Sequence, residues 1–277
     1  MHKSLSLVLI AVIAGCGAKQ TPYETVSIDN YTANRITRII ESKVETGSYS
    51  NVNDAIANIS AEFLGTPYEA NVLIGSPTQP EQLVIDFRGL DCFTYLDYVE
   101  ALRKSGSKTE FVQQVIRTRY ADADVSYLHR KHFFTDWSQL APLNAQDVTA
   151  QISTHARTVL KNLNQKKEGG EFIPELSVIE RNVVYIPAEF IDATVVAGLK
   201  NGDYIGIYTP ISGLDVTHTG IFIRTVKGAM FRNASSMRGN NKVVDSPFLE
   251  YVKKTPGIVV LRALPGNDSD SKSIGRI

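Results

Sequence analysis

Net charge is missing from this chain: 29 Lys and Arg stand against 29 Asp and Glu in 277 residues. A nucleic-acid partner would need a basic patch to neutralise phosphates, so that class is excluded. Long apolar runs are missing too. The stretch from Leu5 to Ala14 is too short to cross a bilayer as a helix. No internal repeat occurs. Histidine is sparse, with five, and no zinc-hydrolase motif unites them. A ligand set of His129, His132 and Asp136 is therefore set aside, and neither metal nor cofactor is expected. Cysteine is rarer still: there are two, Cys16 and Cys92. The length suits one large domain with a full core, or one domain plus an appendage.

What is there begins with Met1-His2-Lys3, the apolar run, and Gly15-Cys16-Gly17. A charged start, a short apolar centre and small residues before the cut describe a secretory signal. Ile13-Ala14-Gly15-Cys16 resembles a bacterial lipoprotein signal. The resemblance implies removal of residues 1–15 and acylation of Cys16, which several acyl chains would anchor stably. Residues 16–29 then read as a tether. Gly17 is not Asp, which by resemblance to enterobacterial sorting implies the periplasmic face of the outer membrane. Cys92 is left without a partner in an oxidising compartment, and an unpaired thiol there points to function.

Periodicity sets out the rest. Ile36, Ile39, Ile40 and Val44 recur at helical spacing from Asn30, and Ile56, Ile59 and Phe63 do so from Asn53. Gly65-Thr66-Pro67-Tyr68 ends that second helix. Leu83 to Phe87 reads as extended. A helix follows Asp91 and buries Leu96, Val99 and Leu102. Another, capped by Thr109, turns Phe111, Val112, Val115 and Ile116 inward. Residues 127–137 read as a loop, and 144–165 as helical in part. Strands are expected at Val183–Ile186, Tyr204–Tyr208, Ile221–Ile223, Ala229–Phe231 and Gly257–Leu261, with a helix opening at Ser246-Pro247. Helices first and then a mostly antiparallel sheet make the class α+β. The domain spans 30–265, and 266–277 is a polar tail that reads as disordered.

Asp91 and Cys92 are the most informative pair. Asp91 is a good N-cap, and Cys92 falls in the first turn, where the helix dipole favours a thiolate. A thiolate nucleophile needs a base and a group that orients it. His218 opens a core strand. If Val226 and Lys227 form a two-residue turn, Asn233 lies opposite Gly220 and diagonal to His218, ~7–8 Å away at the backbone. Asn233 Oδ1 can then accept from the ring N–H remote from the thiol.

Several motifs resemble, in order, the NlpC-type superfamily of papain-like cysteine hydrolases and its N-acetylmuramoyl-L-alanine amidase-like branch. They are Gly65-Thr66-Pro67-Tyr68, Asp91-Cys92-Phe93-Thr94-Tyr95, Arg130 through Trp137, Tyr185-Ile186-Pro187, Gly213 through Gly220, and Asn233-Ala234-Ser235-Ser236. Lys131 and Phe133, and Asn233 where relatives often carry His, depart from the branch. The resemblance implies a papain-like fold with Cys92 at a helix N-terminus and His218 on a central strand. It implies Cys92 as nucleophile, His218 as base, Asn233 as its orienter, and Tyr68 and Asp91 lining the cleft. Arg130, His132, Asp136 and Trp137 read either as a substrate wall, with Trp137 offering its face to a sugar and Arg130 or His132 meeting a carboxylate, or as a packed loop in which His132 and Asp136 satisfy each other. The implied activity is hydrolysis of the amide between N-acetylmuramic acid, or its anhydro form, and L-Ala in peptidoglycan fragments, by a monomer. The alternatives are a γ-D-glutamyl-diamino acid endopeptidase and a non-catalytic cell-wall-binding lipoprotein.

Overall fold

The computed structural model describes Val26, residues 28–46 and residues 51–265. The expected signal at 1–15, Cys16, the tether through residue 25 and the tail at 266–277 lie outside the described residues. Val26 and Ile28 already pack against the core, so the folded body starts before residue 30. No helix among the described residues is long and apolar enough to cross a membrane.

Four helices form one layer. α1 spans Asn30–Thr46, α2 Val52–Ala61, α3 Cys92–Arg103 and α4 Lys108–Arg119. α1 buries Ile36, Ile39 and Ile40, and α2 buries Ile56 and Ile59, each along one stripe. Asn51 caps α2 through Asp54 N, and Ser107, rather than Thr109, caps α4 through Glu110 N. α3 differs from the others: every residue from Thr94 to Leu102 is buried. Its two internal carboxylates are paired, Asp97 with Arg119 at 2.7 Å and Glu100 with Lys104 at 2.7 Å, as burial requires.

The other layer is antiparallel. A small hairpin, β1 (Ile74–Ser76) and β2 (Gln79–Gln82), precedes Leu83–Phe87, which is irregular rather than a strand. The main sheet contains β3 (Ala145–Asp147), β4 (Arg157–Leu163), β5 (Ile179–Pro187), β6 (Tyr204–Tyr208), β7 (Val216–Thr225), β8 (Gly228–Ser235), β9 (Lys242–Pro247) and β10 (Gly257–Ala263). Its order is β4-β5-β10-β6-β7-β8-β9, with β3 paired on β10. Short helices α5 (Thr149–Ile152), α6 (Ala193–Gly198) and α7 (Phe248–Val252) complete it. Residues 144–165 hold the short helix α5 between the strands β3 and β4, and the last helix begins at Phe248, one residue after Pro247. One sheet face, with Tyr204, Ile221 and Ile223, shares a core with α3. The other, with Ile205, Ile207, Phe222 and Phe231, packs on α6 and α7.

Candidate active site

The head of α3 is built by its cap. Asp91 Oδ1 accepts from Phe93 N at 3.0 Å and Thr94 N at 2.8 Å, and Thr94 Oγ1 accepts from Asp91 N at 3.0 Å. This capping box fixes the first turn and leaves the Cys92 N–H at the helix head. Cys92 is half-buried and carries no disulfide.

The opposing side chains come from a hairpin. Val226 and Lys227 form the turn between β7 and β8, with Thr225 facing Gly228, Phe222 facing Phe231 and Ile221 facing Arg232. This is the register the two-residue turn requires. It puts Asn233 opposite Gly220, where a Cβ would strike the Phe231 ring at 2.5 Å, so glycine keeps this part of the hairpin open. Asn233 is fully buried. Its Nδ2 donates to Phe231 O at 3.0 Å, which leaves Oδ1 to face His218 Nε2, also at 3.0 Å. Nε2 must then carry the proton, and Nδ1 is the free basic nitrogen. The imidazole sits against Phe231, with ring centroids 5.9 Å apart, and Tyr251 of α7, 6.4 Å away. Burial lowers its pKa below the ordinary value and Asn233 partly restores it, so the ring is neutral at pH 7.

Thr219 joins the two halves. The residue after His218, it donates from Oγ1 to Cys92 O at 2.9 Å. Tyr68 and Tyr251 complete the surround. Burial raises the pKa of each, and a charge on Cys92 raises it further. Tyr251 escaped the sequence reading because it stands in a short amphipathic helix with no motif around it.

The thiol itself differs from expectation. Burial and then the Asp91 carboxylate push Cys92 up to about 11. Burial, with the capping carboxylate beside it, outweighs the positive end of the helix, so the dipole does not deliver a resting thiolate. The free protein holds a neutral thiol and a neutral imidazole.

The expected substrate wall is not a wall. Trp137 is 0% exposed, packed edge-on against Tyr204 at 5.0 Å and Phe93 at 6.0 Å, so no sugar reaches its face. Asp136 is 2% exposed and paired with Arg181 at 2.7 Å. Thr135 donates from its N and Oγ1 to Asp215 Oδ2 at 2.8 and 2.9 Å. These contacts lock the 3₁₀ turn Phe134–Ser138 between β5 and the loop before β7. His132 Nε2 bonds Tyr127 O at 2.8 Å, and burial drives its pKa down to about 4, so it is no cation for a carboxylate. Arg130 is held by Glu81 at 2.6 Å, its charge already met. His129 turns to Ser126 at 2.6 Å. Among the described residues, no three His, Cys, Asp or Glu side chains converge as a metal site. Asp91, Cys92 and Tyr68 thus meet at the head of α3, His218 and Asn233 meet on the hairpin, and Thr219 links the two groups, whereas Arg130, His132, Asp136 and Trp137 are taken up in packing.

A family model described as AmiA-like, N-acetylmuramoyl-L-alanine amidase-like, matches residues 58–258. Among solved structures, an N-acetylmuramoyl-L-alanine amidase from Bacteroides uniformis is similar at 28% identity and a TM-score of 0.65, over 77% of this chain and 99% of its own. A Legionella pneumophila protein is similar at 25% identity and a TM-score of 0.70, over 85% of this chain and 95% of its own. No curated protein matches the sequence.

Proposed function

Because the chain belongs to the N-acetylmuramoyl-L-alanine amidase-like family, we propose that it is a cysteine-dependent cell-wall amidase of papain-like type. It hydrolyses the amide between the lactyl group of N-acetylmuramic acid, or its anhydro form, and L-Ala in soluble peptidoglycan fragments. It acts in the periplasm, held by acylated Cys16 to the outer membrane, with residues 16–25 as its tether. The observation that carries this reading is the His218 Nε2–Asn233 Oδ1 hydrogen bond, which reserves Nδ1 as a base on the residue before Thr219, whose hydroxyl bonds the Cys92 carbonyl.

The reaction starts from the neutral pair. As Cys92 Sγ attacks the amide carbonyl, His218 Nδ1 takes the thiol proton, which spares the buried sulfur a resting charge. The Cys92 N–H, left open by the Asp91 cap, meets the carbonyl oxygen as it becomes an oxyanion. The tetrahedral adduct collapses, the C–N bond breaks, and His218 returns the proton to the leaving amine of L-Ala. Water, deprotonated by His218, then attacks the thioester and frees the lactyl carboxylate and the thiol. Asn233 holds the ring in one tautomer through both halves.

Mass spectrometry of a defined disaccharide-tetrapeptide tests this, with the mature protein and Cys92→Ala in parallel. The expected products are an intact peptide beginning with L-Ala and a peptide-free disaccharide, from the unmutated protein alone. A disaccharide still bearing L-Ala-D-Glu would move the protein to the endopeptidases. No cleavage by either would leave a binding lipoprotein.

A further inference from the structure

His218 and Thr219 are neighbours on β7, and successive strand side chains project to opposite faces. Thr219 reaches the α3 side, where it holds the Cys92 carbonyl. His218 shares the other face with Asn233 and Phe231. A regular strand would therefore carry the imidazole away from the nucleophile's helix, and the amidase chemistry needs a device that turns it back.

β7 is not regular at this point. Gly206 faces Thr219 and Ile207 faces His218, but the next residue, Tyr208, faces Val216. Thr217 is the extra residue, so a β-bulge lies directly before His218. A bulge bends its strand, increases the local twist and re-aims the side chains beside it.

Asp215 pins the far side of the bulge. Its Oδ1 accepts from Val216 N at 2.7 Å, and its Oδ2 accepts from Thr135 N at 2.8 Å and Thr135 Oγ1 at 2.9 Å. Its carbonyl accepts from Thr209 N at 3.2 Å, which closes the β6–β7 pair beyond the extra residue. Thr135 Oγ1 in turn accepts from Arg181 Nη1 at 2.9 Å, so its own proton is committed to Asp215. Asp215 is 2% exposed, and burial raises its pKa while these donors oppose the rise. A buried carboxylate is costly unless its oxygens are met, and a network met at this many points holds one geometry. An amide cannot copy it, because its NH2 would face a donor on one side.

We propose that Asp215 is a positioning residue: held by the Thr135 turn and gripping Val216, it fixes the Thr217 bulge that aims His218 at Cys92. It acts through the backbone of β7 and touches no reacting atom. This inference rests on the amidase reading for the task of His218.

Nitrogen-15 NMR of the imidazole tests the aim without turnover. The Nδ1 resonance of His218 should move between wild-type and Cys92→Ala protein, because the thiol stands at that nitrogen. On the Asp215→Asn background, the same Cys92→Ala change should leave it where it is. A shift of equal size on both backgrounds, or none on either, overturns the proposal. Thr135→Val deletes one donor to Asp215 and should shrink the shift, while Thr135→Ser keeps that donor and should preserve it. This pair decides if Asp215→Asn does not fold. With a muropeptide substrate, kcat of Asp215→Asn should fall roughly tenfold or more at near-constant KM, since a small misplacement of a reacting group is costly. A wild-type protein that cuts no amide would sink the amidase reading and leave the resonance shifts to decide what Asp215 does to the ring.

Discussion

Thr219 Oγ1 donates a 2.9 Å hydrogen bond to the carbonyl of Cys92, tying the helix of the thiol to the strand of His218. Thr219 is itself buried, so its side chain works as a fixed strut. Thr219→Val keeps the shape and deletes the donor. Stability should fall by about 0.5–1.5 kcal/mol in urea titration. The larger effect should be on kcat, roughly 10- to 100-fold at near-constant KM, because small misplacements of reacting atoms are costly. Thr219→Ser should recover most of the rate. A valine variant with the wild-type kcat would show that the strut does not set the geometry.

Burial, and after it the Asp91 carboxylate, holds the Cys92 thiol in its protonated form. With Cys92 pushed up to about 11, iodoacetamide should alkylate it at pH 7 more slowly than it does a small free thiol, and the rate should climb toward pH 11. Asp91→Asn retains a good N-cap and removes the charge, so the alkylation profile should move to lower pH with little loss of stability. Turnover behaves differently, because neutral His218 is the required form. kcat/KM should be flat at neutrality and decline only as the pH falls through the lowered His218 value, where imidazolium can no longer accept a proton. Rapid alkylation of the wild-type protein at pH 7 would instead establish a resting thiolate.

The helix head and the β7–β8 hairpin are legible in the sequence, and the edges of the sheet are not. The two-residue turn at Val226-Lys227 fixes the β7–β8 register, because a one-residue slip would reverse every side chain. The Asp91 cap and the helix stripes follow from local chemistry. Besides the short strands β1, β2 and β3, the sequence pattern leaves out β4 and β9, the two edges of the path. At least half of the residues in Arg157–Leu163 and in Lys242–Pro247 are exposed, and an edge strand needs no continuous apolar run. Trp137 was misread for another reason. An aromatic beside charged residues looks alike whether it fills a core or faces a ligand, and only packing decides. The thiolate expected at Cys92 fails because burial, with the Asp91 carboxylate adding to it, raises the thiol instead of lowering it.

His132 makes the protein sensitive to acid. Its unfolded pKa lies near 6.5 and its folded value at about 4, so in that window the unfolded chain binds more protons. Stability should therefore be fully present above pH 6.5 and be lost progressively as the pH drops toward 4. His132→Gln cannot titrate, and its urea midpoint should change less between pH 7 and pH 4.5 than that of the wild type. Parallel midpoints for the two proteins would place the acid sensitivity elsewhere.

Arg181 and Asp136 form a buried ion pair that holds the 3₁₀ turn Phe134–Ser138 against β5. Arg181 Nη1 donates to Asp136 Oδ1 at 2.7 Å and to Thr135 Oγ1 at 2.9 Å. Asp136 Oδ2 takes Phe133 N at 2.9 Å. Burial raises the Asp136 pKa and Arg181 opposes that rise. Arg181→Met leaves a carboxylate without its cation, at a cost of about 3–5 kcal/mol where the carboxylate stays charged. The group can escape by taking up a proton, so its folded pKa rises further and the variant loses stability as pH increases through it. Urea titration should show a larger deficit at pH 8 than at pH 5. Adding Asp136→Leu removes the stranded charge, and the double variant should be more stable at pH 8 than Arg181→Met alone. For either variant under folding conditions, KM should match the wild type, because neither side chain reaches substrate. A selective rise in KM with intact stability would return Asp136 to the binding surface.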